Sequence, residues 1–125
     1  MDFNAYREKD GLALGDLVQR GEVSALELLE TAIARAEAVN PKINTVVYRG
    51  FDQARAAARS FKPGSQPFAG VPLLLKDIAG SCLGMPTRSG SSFVPDTPAT
   101  ADSYIVARLR RAGNNQYVDF ALLQA

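Results

Sequence analysis

The sequence predicts an α/β fold, on three observations. Stretches with helical hydrophobic spacing alternate along the chain with short β-branched or apolar runs. One run, Val71-Pro72-Leu73-Leu74-Leu75, is unbroken, opens after Gly70 and closes on Lys76-Asp77, as expected of a strand buried on both faces. Most of the helical stripes also have a cap residue ahead of them and a glycine or proline behind.

Taken in order, the first helix is expected from about Leu12 to Arg20. Asp10 is its cap, Leu14, Leu17 and Val18 share one face, and Gly21 is the stop. Ser24 and Glu27 then form a capping box, in which each side chain can satisfy an orphan N–H of a second helix. Leu26, Leu29, Ile33, Ala36 and Val39 continue that helix. Asn40-Pro41 is expected to close it, because a residue before proline avoids the helical region. Thr45-Val46-Val47-Tyr48 predicts a strand. Asp52 to Ser60 predicts a third helix with its arginines on a solvated face. Residues 62–68 are a loop by composition. Residues 79–98, rich in Gly, Ser, Thr and Pro, form a long loop of the kind that often carries function. A fourth helix is expected from about Ser103 to Ala112, capped by Asp102, striped by Ile105, Val106 and Leu109, and stopped by Gly113. Its Arg108, Arg110 and Arg111 suit the helix dipole. Asn114 to Ala125 shows no clean pattern. Only two strands emerge, and a two-stranded sheet is marginal alone, so the chain reads as part of a larger sheet.

Composition narrows the chemistry. A chain of 125 residues, 46% hydrophobic and 22% charged, can bury a core without disulfides or metal. Fourteen basic and thirteen acidic residues nearly cancel, so no nucleic-acid footprint and no membrane-binding charge run is expected. No apolar run reaches membrane-spanning length, and the segment from Met1 to Asp10 is charged where a signal peptide is apolar. With one cysteine, Cys82, no disulfide forms within the chain, and a cytoplasmic setting is expected. Histidine is absent, which removes Ser-His-Asp and Cys-His catalysis and most zinc sites from these residues. A general base must be a carboxylate, a lysine, a tyrosine or the thiol.

Lys76 is the sharpest candidate. It ends an apolar strand, where α/β folds place their sites. Withdrawal from water disfavours an ammonium, as a lysine base requires. The plainer reading is a strand-end lysine that reaches for water or pairs with Asp77, and spacing alone favours it. Ser81, Ser89, Ser91 and Ser92, with Thr87, Gly84 and Gly90, offer hydroxyls and turns in the following loop; turn chemistry explains each singly. Cys82 fits a small buried residue better than a nucleophile. Met85 and Phe93 fit a pocket lining or a core.

Several segments together resemble the amidase signature family. Pro67-Phe68-Ala69-Gly70-Val71-Pro72-Leu73-Leu74-Leu75-Lys76-Asp77 is similar to that family's Gly-Pro-Leu-x-Gly-Val-Pro strand ending in Lys-Asp. Gly84-Met85-Pro86-Thr87-Arg88-Ser89-Gly90-Ser91 resembles its Gly-x-x-Thr-x-Gly-Ser loop, and Asp102 to Gly113 its Val-x-Arg-Leu-Arg-x-Ala-Gly helix. Gly21 to Leu28 and Asn40-Pro41-Lys42-Ile43-Asn44 match in the same order, so the resemblance spans roughly residues 12–113. It implies an N-terminal portion of a mixed β-sheet core covered by helices. It also implies amide hydrolysis through a Ser–cis-Ser–Lys triad without a cofactor, on a small-molecule amide substrate. Lys76 matches the lysine that relays protons through the bridging serine, and Asp77 matches the position next to it, with a role in positioning rather than in chemistry.

The resemblance also shows departures. The family's Gly/Ser-rich run, with both serines and the oxyanion donors, has no counterpart here. After Gly113 the family continues with an apolar strand, whereas this chain reads Asn114-Asn115-Gln116-Tyr117-Val118-Asp119. The expected division is therefore residues 1–113 as amidase and 114–125 as a divergent tail, truncated or out of frame. Three readings follow: a stand-alone amidase, the amidase component of a tRNA-dependent amidotransferase, or a non-catalytic remnant. The amidotransferase component usually has an asparagine soon after Lys-Asp. Ile78-Ala79 here tilts the choice between the two enzymes to a stand-alone amidase, while the 125 residues alone, with the lysine but neither triad serine, are expected to behave as the non-catalytic remnant and to be inactive.

Overall fold

The computed structural model describes residues 1–78, 80–114 and 117–120. Along them run α1 (Phe3–Arg7), α2 (Gly11–Gln19), α3 (Ala25–Ile43), α4 (Phe51–Ser60), β1 (Leu73–Lys76), α5 (Tyr104–Arg111) and β2 (Tyr117–Phe120). The short α1, which the sequence pattern does not reveal, starts where Asp2 Oδ1 accepts from the Ala5 amide at 2.9 Å. Asp10 caps α2 in the same way, through the Ala13 amide at 2.8 Å.

The capping box starts α3 as the sequence predicts: the Ser24 amide donates to Glu27 at 2.9 Å, and the Glu27 amide to Ser24 Oγ at 3.2 Å. The expected stop at Asn40-Pro41 is wrong, since the helix runs through Pro41 to Ile43. A proline in the last turn forfeits one backbone bond, and here other bonds hold the turn. Asn44, left-handed at φ 46, closes it by donating its amide to the Asn40 carbonyl at 2.7 Å. Buried Asn40 then ties down the chain that follows. Its Nδ2 donates to the Val46 carbonyl (3.0 Å) and its Oδ1 accepts from the Val46 amide (2.8 Å). That bonding also explains why Thr45–Tyr48 is not the strand expected. Val46 spends both backbone groups on a side chain, and only a single-residue bridge remains at Tyr48.

The partner of β1 is instead β2, in the stretch where the sequence shows no pattern. The two strands are parallel, with Leu73 opposite Tyr117 and Lys76 opposite Phe120. The β1 strand is not buried on both faces. Leu75 packs with Cys82, Met85 and Val106, while Leu74 is 48% exposed. Side chains alternate along a strand, so Leu74 and Lys76 share the face left open.

Three apolar clusters hold these elements. Leu29 and Ile33 of α3 meet Phe51, Ala54 and Ala58 of α4 together with Val46. Leu28 meets Leu14 and Val18 of α2 and Val71. The third cluster packs α5 and the 82–85 segment under β1. Arg55 of α4 is not merely on a solvated face, because its Nε and Nη2 grip Glu30 of α3 at 2.7 and 3.0 Å. The end of α5 docks on the turn leading into β1. The Phe68 amide donates to the Ala112 carbonyl, the Gly70 amide to the Gly113 carbonyl, and Asn114 Nδ2 to the Val71 carbonyl. Asp102 does not cap α5. Ser103 stands at the cap position without a side-chain bond, and Asp102 turns to the Leu83 amide (2.8 Å) and to Arg110.

Candidate functional site

The candidate site lies at the carboxyl end of β1. Lys76 is the strand's last residue, half-buried on the open face. Among the described residues no ion pair and no side-chain hydrogen bond engages its ammonium. The plainer expectation, a pair with Asp77, is not what forms. The Asp77 side chain is directed elsewhere and is 5% exposed. Its Oδ1 accepts from the Arg88 amide at 2.6 Å, its Oδ2 from the Gly90 amide at 3.0 Å, and its carbonyl from the Ser89 amide at 3.0 Å. Three successive amides of one turn thus converge on one residue. The turn needs left-handed backbone at Ser89 (φ 54) and Gly90 (φ 68), which brings neighbouring N–H groups to one side. Sequence reasoning assigned these residues to turn chemistry and missed their acceptor. The signal was present: a carboxylate at a strand end, followed by Arg88-Ser89-Gly90 with its glycine.

Beside this turn is a cleft of about 250 Å³, bordered by Tyr48, Asp77, Arg88, Ser91, Ser92 and Asp96. Of the candidate serines, Ser91 and Ser92 line it, and Ser91 Oγ accepts from the Phe93 amide at 3.2 Å. No described serine hydroxyl hydrogen-bonds Lys76. Cys82 and Met85 are 1% exposed and belong to the core under β1, so neither lines the cleft; Phe93, at 96%, points into solvent. Arg110 is more than a dipole partner. It holds Asp102, whose carboxyl it keeps below the usual carboxylate range, and its Nη2 lies 3.3 Å from Cys82 Sγ. Among the described residues no cluster of acidic, Cys or His side chains could hold a metal ion. Nor is any helix long and apolar enough to cross a membrane.

An α/β frame with a lysine at the end of a parallel strand, and no histidine among these 125 residues, leaves proton chemistry within this stretch to groups other than imidazole. The sequence profile of the Amidase family matches residues 27–122, and the chain belongs to that family. It is 42% identical over 107 residues to the 6-aminohexanoate-cyclic-dimer hydrolase of Pseudomonas sp. (strain NK87), covering 84% of this chain and 21% of the relative. It is 39% identical over 102 residues to the putative amidase AmiC of Mycobacterium tuberculosis (strain ATCC 25618 / H37Rv), covering 82% and 21%. The solved structure of 6-aminohexanoate cyclic dimer hydrolase complexed with substrate superposes with a TM-score of 0.75 at 39% identity, over 91% of this chain and 23% of that one. The fold is thus that of amidase signature enzymes, and the chain spans about a fifth of the length of the curated relatives it matches.

Proposed function

We propose that this chain carries the lysine half of an amide-hydrolysing site, with Lys76 as the proton relay. The observation that supports it most directly is the Lys76 side-chain nitrogen, engaged by no ion pair or side-chain hydrogen bond among the described residues, at the carboxyl end of a parallel strand in a chain of the Amidase family. In the proposed reaction a serine hydroxyl attacks the amide carbonyl and gives its proton to the relay, in which Lys76 takes part as the neutral amine and becomes the ammonium. The relay protonates the departing amine, and water then cleaves the acyl ester. The serines of the triad lie outside these residues in this reading, and the substrate is a small amide. No step calls for a cofactor. Cytoplasmic residence belongs to the same proposal, as does the boundary after Gly113.

The amidotransferase reading has one specific support, a 37% identity to a glutamyl-tRNA(Gln) amidotransferase component from Salinispora tropica. Higher identity to a hydrolase of a small cyclic amide favours the stand-alone reading. A chimera tests the proposal. Residues 27–113 would replace the matching segment of the 6-aminohexanoate-cyclic-dimer hydrolase, and turnover of the cyclic dimer would be measured. Turnover is expected to fall by roughly 10³-fold or more in Lys76→Ala and to be unchanged in Lys62→Ala. A folded chimera without turnover, or turnover that survives Lys76→Ala, rules the proposal out.

A further inference from the structure

The Asp77 side chain is a buried carboxylate that the proton relay does not use. A buried carboxylate is tolerated only when its oxygens are satisfied. Here both oxygens are satisfied by backbone amides of a single turn, those of Arg88 and Gly90, while the adjoining Ser89 amide takes the carbonyl of the same residue. All three bonds join the residue next to Lys76 to a segment that is remote in sequence. The same turn forms a wall of the 250 Å³ cleft, to which Asp77, Arg88 and Gly90 all contribute. Nothing else described ties residues 87–92 to β1: the remaining backbone bonds of this stretch, Ser91 to Arg88 and Val94 to Ser91, are internal to the loop.

We propose that Asp77 is the positioning residue of this site: by gathering the Arg88 and Gly90 amides it seats the 87–92 turn on the strand end, and so sets both the cleft wall and the surroundings of the Lys76 ammonium. This rests on the reading of Lys76 as the working group. The carboxylate touches neither substrate nor reacting atoms. It acts through the turn, and a side chain that lacks two acceptor oxygens at that reach cannot replace it. Asparagine keeps the shape but turns one acceptor into a donor facing an N–H.

The test uses the 125-residue chain with Asp77→Asn and Asp77→Glu. Residue-resolved amide hydrogen exchange is read at Arg88 and Gly90, with Leu29 and Ile33 of α3 as the control for global unfolding. In the same samples, acetic anhydride is applied at limiting dose. Acylation of Lys76 is measured by peptide mass spectrometry relative to the exposed Lys42 and Lys62. Asp77→Asn is expected to speed exchange at Arg88 and Gly90 by about tenfold or more, to leave α3 protected, and to raise Lys76 acylation towards that of Lys42 and Lys62. Asp77→Glu, which keeps both acceptors, is expected to restore part of both effects. Three results would overturn the proposal: unchanged exchange in Asp77→Asn; released amides with an unchanged Lys76 ratio, as a purely structural anchor gives; or loss of α3 protection in both variants. Turnover in the chimera is a separate readout, so failure of the relay and failure of the positioning role are told apart.

Discussion

Asp102 and Arg110 are joined by two bonds across the first two turns of α5, Nε to Oδ2 at 2.6 Å and Nη2 to Oδ1 at 3.2 Å. The same carboxylate accepts the Leu83 amide, so one residue fastens the helix to the loop that leaves β1. Arg110, and secondarily the Leu83 amide, hold the Asp102 carboxyl below the usual carboxylate range. A carboxyl with its folded pKa depressed adds stability above its unfolded value, near 3.9, and loses it as pH falls further through the folded value. Asp102→Asn is expected to lower stability by about 1–2 kcal/mol at pH 7, discounted for the pair's partial exposure. The gap to wild type should close below about pH 3.9. Thermal melts from pH 7 to pH 2.5 check this; a gap that stays constant with pH contradicts it.

Asn40 is the second fastening. Its amide takes the place of a neighbouring strand for Val46, inside the α3–α4 core. Asn40→Ala leaves a buried N–H and a buried carbonyl without partners, which is expected to cost about 2–4 kcal/mol. Asn40→Asp keeps the acceptor, loses the donor and buries a charge, so it should be no better. Urea unfolding midpoints measure both variants. An Asn40→Ala midpoint within error of wild type would show that water takes over the two bonds.

These two side chains also mark how far the fold was legible. Helix starts were readable because their causes are local: Asp10, Ser24 and Glu27 sit within three residues of the amides they satisfy. The strand-end place of Lys76 and the long loop were legible through apolar patterning and composition. What escaped depends on partners remote in sequence. Nothing near Asp102 announces Arg110 and Leu83 as its partners in place of the helix start. Nothing in Tyr117-Val118-Asp119-Phe120 announces a parallel register with Leu73 to Lys76. Pro41 was misread because a local penalty was outweighed by the bonds of Asn40 and Asn44. At the candidate site, the strand-end place of Lys76 was legible, whereas the bonds of Asp77 to the Arg88 and Gly90 amides were not, since they exist only once the 88–90 turn folds back.

Gly113 and Gly21 separate backbone strain from crowding. Both have positive φ, at 105° and 72°. A Cβ on Gly21 would meet nothing within 4 Å, whereas one on Gly113 would lie 2.7 Å from the Phe68 carbonyl carbon and 2.8 Å from the Ala69 nitrogen. Gly21→Ala is therefore expected to cost about 1 kcal/mol, from conformation alone. Gly113→Ala should cost at least about 2–3 kcal/mol, because backbone must move and the bonds of α5 to residues 68–70 go with it. Chemical denaturation of the two variants side by side checks the order; equal losses would mean the contact at Gly113 relaxes freely.

The open face of β1 yields the last prediction. Parallel strands are ordinarily covered on both sides, yet Leu74 is 48% exposed and Ile43, on the same apolar groove, 43%. That groove, about 590 Å³, also includes Ile33, Val46, Phe51 and Leu73. Apolar surface of this kind binds hydrophobic dyes and promotes association. The 125-residue chain is expected to enhance 8-anilinonaphthalene-1-sulfonate fluorescence while its helices remain folded, and to associate as concentration rises. Leu74→Thr puts a β-branched residue, which suits a strand, in place of leucine and removes much of the apolar surface. It should lower both signals and leave the far-ultraviolet circular dichroism unchanged. Sedimentation and dye titration over the same concentrations decide it. A wild-type chain that stays monomeric and binds no dye would mean that this face is already covered.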